Sequence, residues 1–194
     1  MNTNLAAREN KWHDELGYSL EVTFWNNVYV LTSSIRHENK MKWLQYQINR
    51  NCLYTSQRVN RFKNHVSPFC VFCSERSYVK HLELVSHLFY DCEFTYNFWC
   101  EMRTWLLLLE MPIDLPLDKV KIIFGLSGKK NEMINYILLC GKYFIWRERL
   151  DSKSLSFVAF KRYFKTILDQ LRNALIFEEK LYLFEPWLII YDVL

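Results

Sequence analysis

Apolar residues recur every three or four positions through most of this chain, and that period predicts helices. In "TFWNNVYVLTSS", Phe24, Val28 and Leu31 share a face. In "HENKMKWLQYQINR", Met41, Leu44 and Ile48 form the apolar side, while Lys40, Lys42 and Arg50 point elsewhere. "SQRVNRF" reads as a short basic helix. "EFTYNFWCEMRTWLLLLE" is a long one, with Phe94, Phe98, Met102, Trp105 and Leu109 as its stripe. "DKVKIIFG" is a short helix with Gly125 as its C-cap. "NEMINYILLCGKYFIWRER" is a second long helix, and Asp151 to Ser156 form a turn. "FVAFKRYFKTILDQLRNALIFEEKLYLF" is a third, striped by Phe157, Phe160, Phe164, Ile167 and Leu171. Its predicted span runs through Phe184.

The expected fold class is therefore mainly α: a helical domain with a small hairpin inserted between helices, which its Cys70-x2-Cys73 pair, with His87 and Cys92 beyond, marks as zinc-binding. The hairpin is placed at "FCVFCSERSYV", with Phe72 and Tyr78 flanking its turn. "MPIDLPL", with two prolines, marks a linker. It divides the chain into a helical segment at 1–110, carrying the motif at 67–92, and a C-terminal helical segment at 111–194 packed on it.

Composition narrows this reading. The chain has 194 residues, of which 51% are hydrophobic and 17% aromatic, ample for a core and too apolar for disorder. Only four Gly and four Pro occur, and turn-rich sandwiches or barrels need more. No apolar run is long enough for a membrane span. The polar N-terminus, "MNTNLAARENKWHDELG", has no secretory h-region, so the expected setting is intracellular, in nucleus or cytoplasm. In that reducing setting a Cys-x-x-Cys pair points to metal or redox chemistry rather than a structural disulfide.

The net charge of +4 is unevenly spread. Residues 34–64 carry seven Lys/Arg and one Glu, a balance of +6. Residues 65–118 stand at −5 and residues 119–172 at +8. Two basic blocks thus flank an acidic, cysteine-bearing centre. Phosphates take Lys and Arg, and bases take flat rings, so such blocks suit nucleic acid. The other reading of the same charges is a set of solvated helix faces. In the first block the candidate phosphate contacts are Arg50, Arg58, Arg61 and Lys63. In the second they are Lys142, Arg147, Arg149, Lys161, Arg162 and Lys165, with Tyr143, Trp146 and Tyr163 as candidate stacking rings.

The centre carries the sharpest motif. Its spacing is Cys70-x2-Cys73-x13-His87-x4-Cys92. A Cys-x-x-Cys turn brings two sulfurs to one side of a tight loop, and a His and Cys about one helical turn apart can face the same ion. Three thiolates and one imidazole complete a tetrahedron for Zn²⁺. With no position left for a catalytic water, the ion is structural. His81 is the rival fourth ligand, and the preference for His87 rests on its leading directly into "LFYDC". Cys100 and Cys140 lie in apolar helices and read as core residues.

"PFCVFC", Glu83, "HLFYDC" and the downstream Phe98-Trp99 together resemble the zinc-binding segment at the C-terminus of non-LTR retrotransposon reverse transcriptases. The flanking "KMKWLQYQINRNCLYTSQRVNRF" and "KYFIWR" … "FVAFK" are similar to the helical stretches on either side of that segment. The likeness spans roughly residues 10–185 and is specific at 67–105. The interval between Cys73 and His87 is longer than the family pattern. The resemblance implies a non-catalytic domain that binds RNA, the element's own transcript, during target-primed reverse transcription. Single-stranded DNA and the reverse-transcriptase core domains are the further implied partners. An enzyme is not expected. The Asp-Asp turn of a polymerase palm does not occur, no carboxylate pair or triad order stands out, and "GLSGKK" lacks the phosphate-loop spacing. The alternative is a helical protein-interaction module, stapled by zinc, that docks on a polymerase or host factor through "WLLLLEMPI" and "LYLFEPWLIIYDVL".

Overall fold

The computed structural model describes residues 3–34, 39–74, 79–111 and 117–194. Among the described residues ten α-helices run in order: α1 (Thr3–Leu16), α2 (Val22–Ser34), α3 (Asn39–Asn49), α4 (Ser56–Asn60), α5 (Val71–Ser74), α6 (Glu93–Leu108), α7 (Lys119–Phe124), α8 (Glu132–Leu150), α9 (Phe157–Phe177) and α10 (Leu188–Tyr191). Among the described residues no strand forms, so the mainly helical expectation holds. No helix among them is long and apolar enough to cross a membrane.

The stripes read from the sequence point inward. Met41, Leu44 and Ile48 bury one side of α3, which packs on α2, α7 and α8. Phe98, Met102 and Trp105 of α6 are buried, and the two rings meet Phe157, Phe160 and Phe164 of α9 and Phe144 of α8. These rings meet mostly edge to face, the arrangement that aligns positive edges with negative faces. Gly141 lets α8 approach α6: a Cβ there would lie 2.8 Å from the Trp99 ring.

The polar N-terminal segment is a helix, α1, and Trp12 on it is fully buried, donating from Nε1 to the carbonyls of Ile48 and Asn49 at 3.2 Å each. Two local expectations are revised. The third long helix stops at Phe177, because Glu179 turns left-handed (φ 57°) and Lys180 N–H bonds back to the Leu175 carbonyl. A 3-10 turn at Leu181–Trp187 and α10 follow. The expected hairpin is closed by one antiparallel bridge, Phe69 to Leu82, with Cys70 N–H on the His81 carbonyl and Glu83 N–H on the Pro68 carbonyl. Within it residues 71–74 form a helical turn, α5, rather than strand, because Ser74 N–H and Oγ both bond to the Cys70 carbonyl. Tyr78 and the linker prolines Pro112 and Pro116 lie outside the described residues.

Candidate metal centre

Cys70 and Cys73 sit on the tight α5 turn, the first immediately before it and the second within it. His87 and Cys92 come from the next stretch, and their spacing needs a special backbone. In an α-helix, residues five apart differ by about 140° around the axis and face apart. Here His87–Asp91 forms a π-helical turn, closed by Cys92 N–H on the His87 carbonyl at 2.9 Å. The wider turn brings both residues to one side. Trp99 fixes it from α6, donating from Nε1 to the Phe89 carbonyl at 2.7 Å.

The result is a buried group of four, Cys70, Cys73, His87 and Cys92, whose ligand atoms all lie within 4.8 Å of one another. Sγ of Cys92 is 3.9 Å from Cys70 Sγ and 3.4 Å from Cys73 Sγ, and Nε2 of His87 is 3.4 Å from Cys73 Sγ. Tetrahedral zinc with bonds of its usual length would set these edges at about 3.8 Å between sulfurs and about 3.6 Å from sulfur to nitrogen. The donor set therefore fits a metal ion in both chemistry and size. His81 stands outside it: the side chain is exposed, and its ring stacks on His87 at 5.2 Å.

The electrostatics of the sulfurs agree. Cys92 holds its thiolate, its pKa lowered to about 4 by the hydrogen bond from Cys70, with His87 and the Thr95 N–H assisting. Cys70 is pushed up by that same bond to Cys92 and then by burial. Cys73 is pushed up to about 12 by burial first and the bond to Cys92 next. Only one of three crowded sulfurs holds a charge unaided, and a divalent cation is what lets all three ionise together.

Glu83 ties this centre to the rest of the fold. Its carboxylate is fully buried. It accepts from Ser56 N–H at the start of α4 (2.6 Å), from Val71 N–H beside the first ligand, and from Nε and the outer nitrogen of Arg149 on α8 at 3.1 and 2.7 Å. Arg149 also donates to Ser56 Oγ.

That arrangement corrects one assignment, and burial corrects another. Arg149 is an internal tie with its side chain 11% exposed, not a phosphate contact. Lys142 is 2% exposed inside α8, donating to Gln45 Oε1 and the Ile123 carbonyl. Burial pulls its pKa down to about 7, and it presents no amine to a ligand outside. Of the other expected contacts, Arg61, Lys63, Arg147 and Arg162 reach the surface. Lys161 is half-buried, and half-buried Lys165 caps the Tyr191 ring and carbonyl. Arg50 and Arg58 are half-buried beside rings. The rings Tyr143, Trp146 and Tyr163 pack partly against the core.

Sequence reading missed the exposed aromatics of the first basic block: Trp43, Tyr46, Tyr54 and Phe62. The signal was available, since Trp43 and Tyr46 lie off the Met41-Leu44-Ile48 stripe. Neither a scan of known protein families nor a comparison with curated proteins finds a match to this chain.

Proposed function

We propose that this chain is a non-catalytic, zinc-stapled domain that binds RNA, in a role like that of the C-terminal region of non-LTR retrotransposon reverse transcriptases. The observation that carries the reading is the buried Cys70-Cys73-His87-Cys92 group, whose four donor atoms lie within 4.8 Å of one another, enough ligands for a tetrahedron. Three thiolates and an imidazole are a set that suits zinc, and a filled shell suits a staple rather than a hydrolytic centre. Cations at the surface lie on both sides of it in sequence: Arg61 and Lys63 before, Arg147 and Arg162 after. Cysteines kept out of disulfides, as these are, suit a reduced, intracellular setting.

The test pairs metal analysis with binding of single-stranded RNA over a salt series. One zinc per chain is expected, and log affinity should fall linearly with log salt, because each neutralised phosphate releases counterions. Replacing Arg58, Arg61 and Lys63 together should flatten the slope by about 0.7 for each phosphate no longer engaged. Arg147 with Arg162 forms the second set, and Arg149 is left in place because it holds Glu83. If both sets bind as the parent does, the blocks are solvated helix faces. The protein-docking reading then takes over. It is favoured by the apolar C-terminal surface, where Phe177 is 91% and Tyr182 69% exposed, and it predicts partner binding indifferent to salt.

A further inference from the structure

We infer that the outer face of α3, continued by Tyr54 and Arg58, is a stacking surface for unpaired bases of a single nucleic-acid strand. The inference rests on the nucleic-acid reading above and gives it a place on the molecule.

Residues 43, 46 and 50 are spaced by three and four, so they share one helix face. Trp43 is 60% and Tyr46 39% exposed, and their rings stack on each other, 5.3 Å apart and 13° from parallel. The Arg50 guanidinium lies 5.0 Å from the Tyr46 ring and 5.7 Å from that of Tyr29. The four side chains form a ladder of flat groups. Beyond the end of α3, Arg58 donates to the Asn51 carbonyl and lies 5.8 Å from the Tyr54 ring, itself 57% exposed. That bond ties the second ring–guanidinium pair to the residue that follows Arg50.

Two properties single out a nucleic-acid strand as the occupant. The first is the pairing of a flat ring with a guanidinium, Arg50 with Tyr46 and Arg58 with Tyr54. A guanidinium can stack on a ring through its plane while its forked donors match phosphate oxygens. The second is charge complementarity, since this block carries +6 over residues 34–64. An apolar partner would leave the guanidinium groups unsatisfied, and an acidic peptide would make no use of parallel ring faces. A strand uses both, setting bases on the outer face of Trp43 and phosphates on the cations. Because the rings are already stacked, little ordering is required when a base arrives.

Stacking and counterion release respond differently to salt, and the test exploits that. Binding of fluorescein-labelled oligoadenylate, oligouridylate and a short RNA duplex would be followed by anisotropy, using the full chain with zinc supplied. Trp43→Ala with Tyr46→Ala should weaken binding of the single strands by about 10–100-fold, adenylate most, with the salt slope unchanged. Duplex binding should change by less than about 3-fold, because its bases are not free to stack. Trp43→Phe with Tyr46→Phe should restore most of the affinity, since a flat ring is what is needed. Arg50→Gln should flatten the slope by about 0.7. Thermal melts should keep each variant within a few degrees of the parent, because the substituted rings are exposed. A double alanine variant that binds strands as tightly as the parent overturns the inference while leaving RNA binding on the basic blocks. An equal weakening on strand and duplex also overturns it, since the face would then be touching backbone. A parent that binds no strand at low salt removes both readings.

Discussion

At the scale of single residues, the four candidate metal ligands separate from their neighbours by position rather than type. Cys73→Ser should abolish stoichiometric metal, and His87→Ala should lower affinity at least tenfold, whereas His81→Ala should retain one ion per chain; metal analysis after dialysis checks all three. Lys142 makes an independent prediction about pH. Burial holds its folded pKa near 7, against an ordinary value of 10.5. Between those values the unfolded chain carries a proton that the folded chain lacks, so this residue makes stability rise with pH, by about 2–3 kcal/mol from pH 7 to 9. The stability of Lys142→Met relative to the parent should therefore fall by about 2–3 kcal/mol as pH rises over that window in urea unfolding. The ligand set was legible because its spacing is local. The burial of Lys142 was legible in principle: it shares a helix face with Leu138, Leu139 and Ile145, all buried. The tie between Glu83 and Arg149 was not, because the partners are 66 residues apart and only the fold joins them.

At the scale of elements, apolar period locates the helices, and capping chemistry locates some of their ends. Asp118 caps α7 through Lys121 N–H, Ser156 caps α9 through Ala159 N–H, and Gly125 closes α7 left-handed at φ 91°. Other ends carry no such mark. Asn51, Glu110, Ser152 and Glu179 all turn left-handed at helix ends where glycine is the usual residue. Three of them have no αL preference to betray them, which is why apolar period alone carries α9 past its true end. The contact between α6 and α8 gives the prediction at this scale. Gly141→Ala would gain about 1 kcal/mol of helix propensity. It would also drive a methyl into the Trp99 ring, which is buried and held by its bond to the Phe89 carbonyl. Overpacking of about 1–3 kcal/mol exceeds that gain, so a net destabilisation of about 1 kcal/mol is expected by denaturant unfolding.

At the scale of the whole molecule, two kinds of cohesion meet. Aromatic packing joins α6, α8 and α9 without help from any ion. The segment from α4 to the π turn adds polar ties to its buried Phe72, Val85, Leu88 and Phe89: the sulfur-imidazole group and the Glu83 carboxylate with its donors on Ser56, Val71 and Arg149. A chelator should divide the molecule along that line. Amides of residues 56–91 should become less protected from hydrogen exchange, while those of α9 keep their protection. A uniform decrease along the chain would mean that the metal group and the aromatic core unfold as one unit.

The π turn at His87–Asp91 makes the centre a gauge of chain length. Substitutions at Leu88, Phe89 or Tyr90 alter packing but leave the His87 carbonyl and the Cys92 N–H that close the turn five residues apart. Removing one residue between them would restore an ordinary α-helical turn and swing the Cys92 sulfur by about 100° about the axis. Adding one would swing it the other way. After the α5 turn, by contrast, the chain returns through the Phe69–Leu82 bridge, so an insertion between Ser74 and His81 lengthens a connection without re-aiming a ligand. Between the first and second pairs of ligands the chain can vary in length; between His87 and Cys92 it cannot.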